Sequence, residues 1–157
     1  MSTATDQRPA ATYAGSKRIL DADSHIMELP GWLIEFADQR TREILRPLVL
    51  GAAGKLADKA VAEADRRRAA GERVDDETLE RELMGLKGWY AHGSFDTEDR
   101  RRVMDLLGFD AQLVFPTFAP VQFNGTDHEL LQGGARALNR AMAAFCDDER
   151  LLAVAYV

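Results

Sequence analysis

The chain has 157 residues, with 20 basic and 26 acidic side chains and a formal net charge of −6. This charge argues against a dedicated surface for nucleic acid or for an anionic membrane. A chain of this length suits one domain, which would bury roughly two-thirds of the surface that its unfolded form exposes. The composition therefore indicates a globular protein and says little about its chemistry.

Residues 1–17 are rich in serine, threonine, alanine and glutamine and have no periodic apolar face, so we predict a disordered arm there. The arm lacks the apolar run of a secretory signal, and no stretch approaches the roughly 20 apolar residues of a membrane span. The single cysteine, Cys146, excludes an internal disulfide, and its apolar helical context favours a packed thiol. We expect a cytoplasmic protein.

The first predicted strand runs from Arg18 to Asp23 and leads into a cluster of carboxylates and an imidazole. Alternation along a strand would place Asp21, Asp23 and His25 on one face. A carboxylate and a neutral imidazole two residues apart can bind one cation, and this pair suits zinc, iron or manganese. The same residue types are common in turns after strands, so spacing alone leaves both interpretations open.

Residues 19–30 read ILDADSHIMELP. This segment resembles the opening of the amidohydrolase-related (amidohydrolase 2) family, metal-dependent proteins that include aminocarboxymuconate-semialdehyde decarboxylase. The resemblance implies that Asp23 and His25 are metal ligands, with aspartate where histidine is more usual. It also implies that Asp21 and Glu28 support these ligands without binding the metal. The implied cofactor is a divalent metal, with zinc first and manganese or iron as alternatives.

Later segments resemble the same family in the same order. They read KGWY at 87–90 with GSFD at 93–96, LLGFDAQLVFPT at 106–117, and RLLAVAYV at 150–157. The resemblance thus covers about residues 18–157. It implies an α/β fold made of the N-terminal βα units of a TIM barrel, with about three parallel strands. A complete barrel needs about 250 residues, so we expect an incomplete one.

Residues 31–90 carry helical signals and are too long for an ordinary barrel connection. We interpret them as a helical insertion after the first strand, with helices at about 55–70 and 76–86, close to the catalytic face. The basic run at 66–68 has acidic neighbours, which favours a solvated helix face over a phosphate site.

A cleaner βαβ pattern follows the insertion. Asp96 and Gly108 are typical of the two ends of a helix. We predict a buried strand at residues 111–115. A capping box of Thr126 and Glu129 predicts the start of the next helix, in whose first turn we expect an exposed His128. Residues 151–157 are the predicted third strand.

The loops that follow parallel strands share one mouth, where we predict the substrate pocket. The proposed substrate-binding residues are His92, Phe115, Thr117 and Phe118. For Phe115, Thr117 and Phe118, packing against apolar neighbours is an equally good interpretation. Together with His92, three aromatic side chains either line the pocket or form an apolar seam against the barrel: Trp89, Tyr90 and Phe95.

The resemblance implies a metal-dependent hydrolase or a non-oxidative carboxy-lyase, that is, a decarboxylase, acting on a small carboxylated or aromatic substrate. The catalytic acid and base have no candidates in this sequence. We therefore expect the N-terminal part of a longer enzyme, completed by a C-terminal barrel half or a complementary chain, with a homo-oligomer as a further possibility. The alternative is a non-catalytic fragment or a split subunit that binds a partner chain.

Overall fold

The structure is a computed structural model that describes residues 17–125 and 127–157. The predicted N-terminal arm lies outside the described residues except for Lys17. Three parallel strands form one open sheet in the order β1-β2-β3. Strand β1 covers Leu20–His25, β2 covers Ala111–Phe115 and β3 covers Leu151–Ala153. The predicted α/β class with three parallel strands is confirmed.

The described residues also form six α-helices. They are α1 (Trp32–Phe36), α2 (Gln39–Ile44), α3 (Gly54–Ala69), α4 (Asp76–Glu82), α5 (Thr97–Leu107) and α6 (His128–Phe145). The long connection from β1 to α5 is helical, as predicted, although α4 ends before the predicted limit of residue 86. None of the helices in the described part of the chain is both long and apolar enough to cross a membrane.

Local capping signals predicted both ends of α5. The side chain of Asp96 accepts a hydrogen bond of 2.9 Å from the backbone amide of Asp99. At the other end Gly108 has a φ of 71°, a left-handed conformation that glycine adopts without steric cost. The predicted boundaries of this helix are confirmed.

Helix α6 begins at a different cap from the predicted one. The side chain of Asp127 accepts hydrogen bonds of 3.0 Å from the amides of Glu129 and Leu130. An aspartate directly before the first turn reaches both amides, so the predicted cap at Thr126 is wrong. Thr126 itself lies outside the described residues.

The main core lies between one face of the sheet and the helices α1, α5 and α6. Its fully buried members include Leu33 of α1, Met104 of α5, Val114 of β2, and Leu138 and Met142 of α6. Helix α6 approaches the loop after β2 so closely that a Cβ on Gly134 would lie 2.1 Å from Cγ of Phe123. A glycine is therefore required at this contact, although alanine has the higher helix propensity.

None of the described helices or loops covers the opposite face of the sheet. Leu20, Leu113 and Leu152 are 63%, 38% and 48% exposed. Leu113 pairs with Leu152 across β2 and β3, whereas the neighbouring Val114 on the other side of β2 is fully buried. We call these three leucines the open sheet face. The sheet is thus packed on one side and apolar but bare on the other.

Strand β3 ends earlier than predicted, at Ala153 instead of Val157. Beyond it, the amide of Tyr156 donates to Oδ1 of Asn139 at 2.8 Å, and Nδ2 of Asn139 donates to the carbonyl oxygen of Tyr156 at 2.9 Å. The side chain of Asn139 in α6 thus takes both backbone hydrogen-bonding groups of Tyr156, which are then not available for pairing in a sheet.

Candidate metal centre

Strand β1 contains an irregularity that changes the direction of its last side chains. Asp21 pairs with Gln112, whereas Ser24 pairs with Val114, so three steps along β1 match two steps along β2. One extra residue of this kind is a β-bulge, and it reverses the alternation of side chains beyond it. The bulge lies directly before His25, at the carboxyl end of the strand.

Asp21 therefore does not share a face with His25, and the predicted common face is wrong for this residue. Its Oδ2 accepts a hydrogen bond of 3.0 Å from Nε2 of Gln112, a side chain that is 3% exposed. Its Oδ1 accepts a hydrogen bond of 3.0 Å from the backbone amide of Asp23. Asp21 thus fixes the backbone of Asp23 from the packed side of the sheet.

Asp23 and His25 meet at the carboxyl end of β1. Oδ1 of Asp23 lies 3.3 Å from Nε2 of His25, and the two side chains are 88% and 47% exposed. The imidazole stacks on the ring of Phe115, with centroids 5.6 Å apart and an interplanar angle of 26°. The structure thus brings both predicted ligands together and places one predicted substrate residue beside them.

The second nitrogen of His25 faces Thr117. Nδ1 of His25 lies 3.3 Å from Oγ1 of Thr117, and this hydroxyl donates a hydrogen bond of 2.5 Å to the backbone oxygen of Ile26. Thr117 follows β2, so the ends of two neighbouring parallel strands meet here. The hydroxyl that we predicted as a substrate contact is engaged by two groups of the protein.

Glu28 is buried and holds the loop after β2. Its side chain is 3% exposed, and its carboxylate accepts hydrogen bonds of 2.7–3.0 Å from the amides of Thr117, Phe118 and Ala119. Consecutive amides of this kind form a small anion-binding nest, which the protein fills with its own carboxylate. Glu28 thereby fixes the position of Thr117 and acts on His25 through it.

Arg100 of α5 holds the same strand end from the packed side. Its Nε donates to the carbonyl oxygen of Gly93, and its two terminal nitrogens donate to Oγ of Ser24 and to the backbone oxygen of His25, each at 2.7 Å. The guanidinium carbon lies 5.8 Å from the centroid of the Phe145 ring. A buried cation thus connects α5, the loop before it and β1.

The sequence reasoning missed Arg100, although a signal for it exists. Arg100 precedes Val103 and Met104 by three and four residues, so it belongs to the buried stripe of α5. Burial lowers the pKa of Arg100 below the ordinary arginine value, and the nearby carboxylate of Asp21 opposes this shift. Arg100 is the first of three consecutive arginines, and a charged run of this kind is more typical of a solvated surface.

Two of the predicted substrate residues are placed away from the Asp23–His25 pair. The side chain of His92 is 4% exposed, and its Nε2 lies 3.0 Å from Oε2 of Glu82. The ring of Phe118 stacks on Trp89, with centroids 5.5 Å apart and an interplanar angle of 11°. Both aromatic rings belong to an apolar cluster that includes residues of α3, which is the predicted seam between the insertion and the sheet.

The donor atoms of the pair fit part of a zinc site. Ligands at about 2.0–2.1 Å from a tetrahedral zinc ion are about 3.4 Å apart. The separation of 3.3 Å between Oδ1 of Asp23 and Nε2 of His25 matches this value. Among residues 17–125 and 127–157, no group of three His, Cys, Asp or Glu side chains could hold a metal ion. The pair could therefore supply at most two ligands of such a site.

Comparisons with known proteins are negative. A scan against protein-family models, a search of curated proteins and a search of solved structures each gave no match. The resemblance to the amidohydrolase-related family therefore stays a prediction, and the geometry at the end of β1 carries the functional argument.

Proposed function

We propose that this chain is the N-terminal part of a cytoplasmic, metal-dependent enzyme of the amidohydrolase type, in which Asp23 and His25 bind one divalent cation, preferably zinc. The supporting observation is the 3.3 Å approach of a carboxylate oxygen and an imidazole nitrogen. The pair lies at the carboxyl end of a parallel strand, where α/β proteins commonly bind their ligands.

The residues around the pair suit hydrolysis or non-oxidative C–C cleavage. A metal bound there would act as a Lewis acid on a water molecule or on a substrate carboxylate. Asp23 and His25 would hold the metal, and Asp21 fixes the backbone of Asp23. The ring of Phe115 beside His25 gives the site an apolar wall. A cation next to an apolar wall favours a small carboxylated or aromatic substrate.

The remaining ligands and the catalytic acid and base belong, in this proposal, to a C-terminal barrel half or to a complementary chain. The open sheet face supports such an addition, because Leu20, Leu113 and Leu152 are exposed on the same sheet that carries the metal pair. Further strands or another chain on this face would bury apolar surface, which stabilises an assembly by about 25 cal/mol per Å².

A second candidate is a non-catalytic subunit that binds a partner chain through the open sheet face. The observation in its favour is that the described residues provide two donor groups and no third. In this case the apolar face is the functional surface, and the Asp23–His25 pair is an ordinary ion pair. Metal-dependent turnover distinguishes the two candidates.

Turnover should depend on both donor residues. With the protein expressed from its complete reading frame, together with any complementary chain, we expect hydrolysis or decarboxylation within a panel of small carboxylated aromatic acids, esters and amides. Asp23→Ala and His25→Ala should each lower kcat/KM at least about 100-fold, which corresponds to about 2.7 kcal/mol of transition-state stabilisation. Chelation of the metal should have a similar effect, and readdition of zinc should restore activity only in the wild-type protein.

The matched control is His128→Gln, at an exposed position in the first turn of α6. It should leave kcat/KM within about twofold, because surface substitutions away from a site have small effects. Release of CO₂ would identify a carboxy-lyase, and release of an acid with an alcohol or amine would identify a hydrolase. Full turnover in both the Asp23 and His25 variants would contradict the metal role, and absence of turnover with tight partner binding would support the second candidate.

A further inference from the structure

We infer that Thr117 is a positioning residue that selects the tautomer of His25 in which Nε2 can bind a metal. The inference rests on the proposed metal role of His25, but it concerns hydrogen bonds that exist without a metal. The hydroxyl of Thr117 lies between two groups, 3.3 Å from Nδ1 of His25 and 2.5 Å from the backbone oxygen of Ile26.

The hydrogen-bond roles follow from the acceptor at Ile26. A carbonyl oxygen can only accept, so the hydroxyl proton of Thr117 points to Ile26. Towards His25 the same hydroxyl oxygen can then only accept, which places the imidazole proton on Nδ1. A neutral imidazole carries a single N–H, so Nε2 keeps a free lone pair. Thr117 thus favours the form of His25 that is a ligand through Nε2.

The opposite tautomer has a competing partner. If the proton were on Nε2, it could donate to Oδ1 of Asp23 at 3.3 Å, and no cation would be needed between the two side chains. The carboxylate of Asp23 is 88% exposed, so solvent weakens this contact. With the proton on Nδ1, two acceptors face each other and attract a cation into the space between them.

Thr117 is held firmly enough to decide this competition. Its backbone amide donates a hydrogen bond of 2.7 Å to Oε1 of Glu28, whose side chain is 3% exposed. The residue that accepts from its hydroxyl, Ile26, is 2% exposed. The hydroxyl oxygen is therefore fixed before His25 binds anything. Histidine ligands generally donate their second N–H to such an acceptor, and loss of the acceptor weakens metal binding by about 10- to 100-fold.

Nitrogen-15 NMR of the metal-free full chain tests the inference directly, because protonated and unprotonated ring nitrogens have very different chemical shifts. At a pH where His25 is neutral, we expect Nδ1–H in the wild-type protein. Thr117→Val removes the hydroxyl at nearly constant volume and should shift the majority of His25 to Nε2–H. Thr117→Ser keeps the hydroxyl and should keep Nδ1–H. The signals of His92 and His128 are internal controls and should not change.

Zinc titration of the same variants, each expressed from the complete reading frame together with any complementary chain, separates this inference from the proposed function. Thr117→Val should weaken zinc binding about 10- to 100-fold, and Thr117→Ser by no more than about twofold. Nε2–H in the wild-type protein, or Nδ1–H retained in Thr117→Val, would overturn the inference. If Thr117→Val does not fold, the tautomer of His25 in the wild-type protein tests the inference by itself. A wild-type protein with the expected tautomer that binds no zinc would overturn the proposed function and leave the tautomer assignment standing.

Discussion

Glu28→Ala should lower the free energy of unfolding by about 3–5 kcal/mol, measured by urea denaturation. The carboxylate of Glu28 accepts four hydrogen bonds from three consecutive amides in the loop after β2, and its side chain is 3% exposed. Each buried donor left without a partner costs about 1–3 kcal/mol. Partial entry of water into the loop keeps the total below the sum of the three penalties.

Two controls separate the lost acceptors from other effects of the substitution. Glu28→Gln keeps one acceptor oxygen but places an NH₂ group against an amide donor, so we expect about half of the alanine effect. Glu35→Ala, at an exposed position on α1, should change the free energy of unfolding by less than about 0.5 kcal/mol. A loss below about 1 kcal/mol in Glu28→Ala would show that Glu28 does not hold this loop.

Arg100→Met should lower the free energy of unfolding by about 2–4 kcal/mol. The substitution keeps most of the apolar volume but leaves the acceptors at Gly93, Ser24 and His25 without their donor. The loss is smaller than three full hydrogen bonds would give, because the methionine no longer carries the desolvation cost of a buried cation. That cost is visible in the lowered pKa of Arg100.

Arg100→Lys tests the geometry of the guanidinium group. A single ammonium group cannot reach three acceptors arranged around a planar fork, so the lysine variant should lose most of the same stability although it keeps the charge. Arg73→Met is the surface control, because Arg73 is 61% exposed and its ion pair with Glu98 is accessible to solvent. Its effect should stay below about 1 kcal/mol. Lysine at position 100 with wild-type stability would contradict the proposed fork of hydrogen bonds.

Features determined by neighbouring residues were predictable from the sequence. The two ends of α5 follow from Asp96 and Gly108, because a cap and a left-handed glycine act within one turn. Strand β2 was predicted with its observed bounds from a short apolar run that ends before a proline, but the predicted burial holds for one face only, since Leu113 is exposed. The contact between Asp23 and His25 could also be predicted from the sequence, since both residues lie at the end of one strand.

Features that depend on distant partners were not predictable. The bulge in β1 exists only relative to β2, and it places His25 on the face opposite to that of Asp21. Glu28 was predicted to support the ligands, but its amide partners lie 89 to 91 residues away along the chain. The roles of Thr117 and Arg100 likewise require a fold in which three separate segments meet at His25. Periodicity describes one element at a time, and these contacts join several.

Zinc binding by the protein with and without its donor pair tests the central claim most directly. With the protein expressed from its complete reading frame, together with any complementary chain, isothermal titration calorimetry should give one zinc ion per wild-type chain, with affinity lowered at least about tenfold in Asp23→Ala and in His25→Ala. Asp58→Ala on α3 and His128→Gln on α6 are matched controls at exposed positions and should bind zinc like the wild type. Equal zinc affinity in the wild type and both donor variants, or no zinc binding by the wild type, would contradict the assignment of Asp23 and His25 as a metal pair.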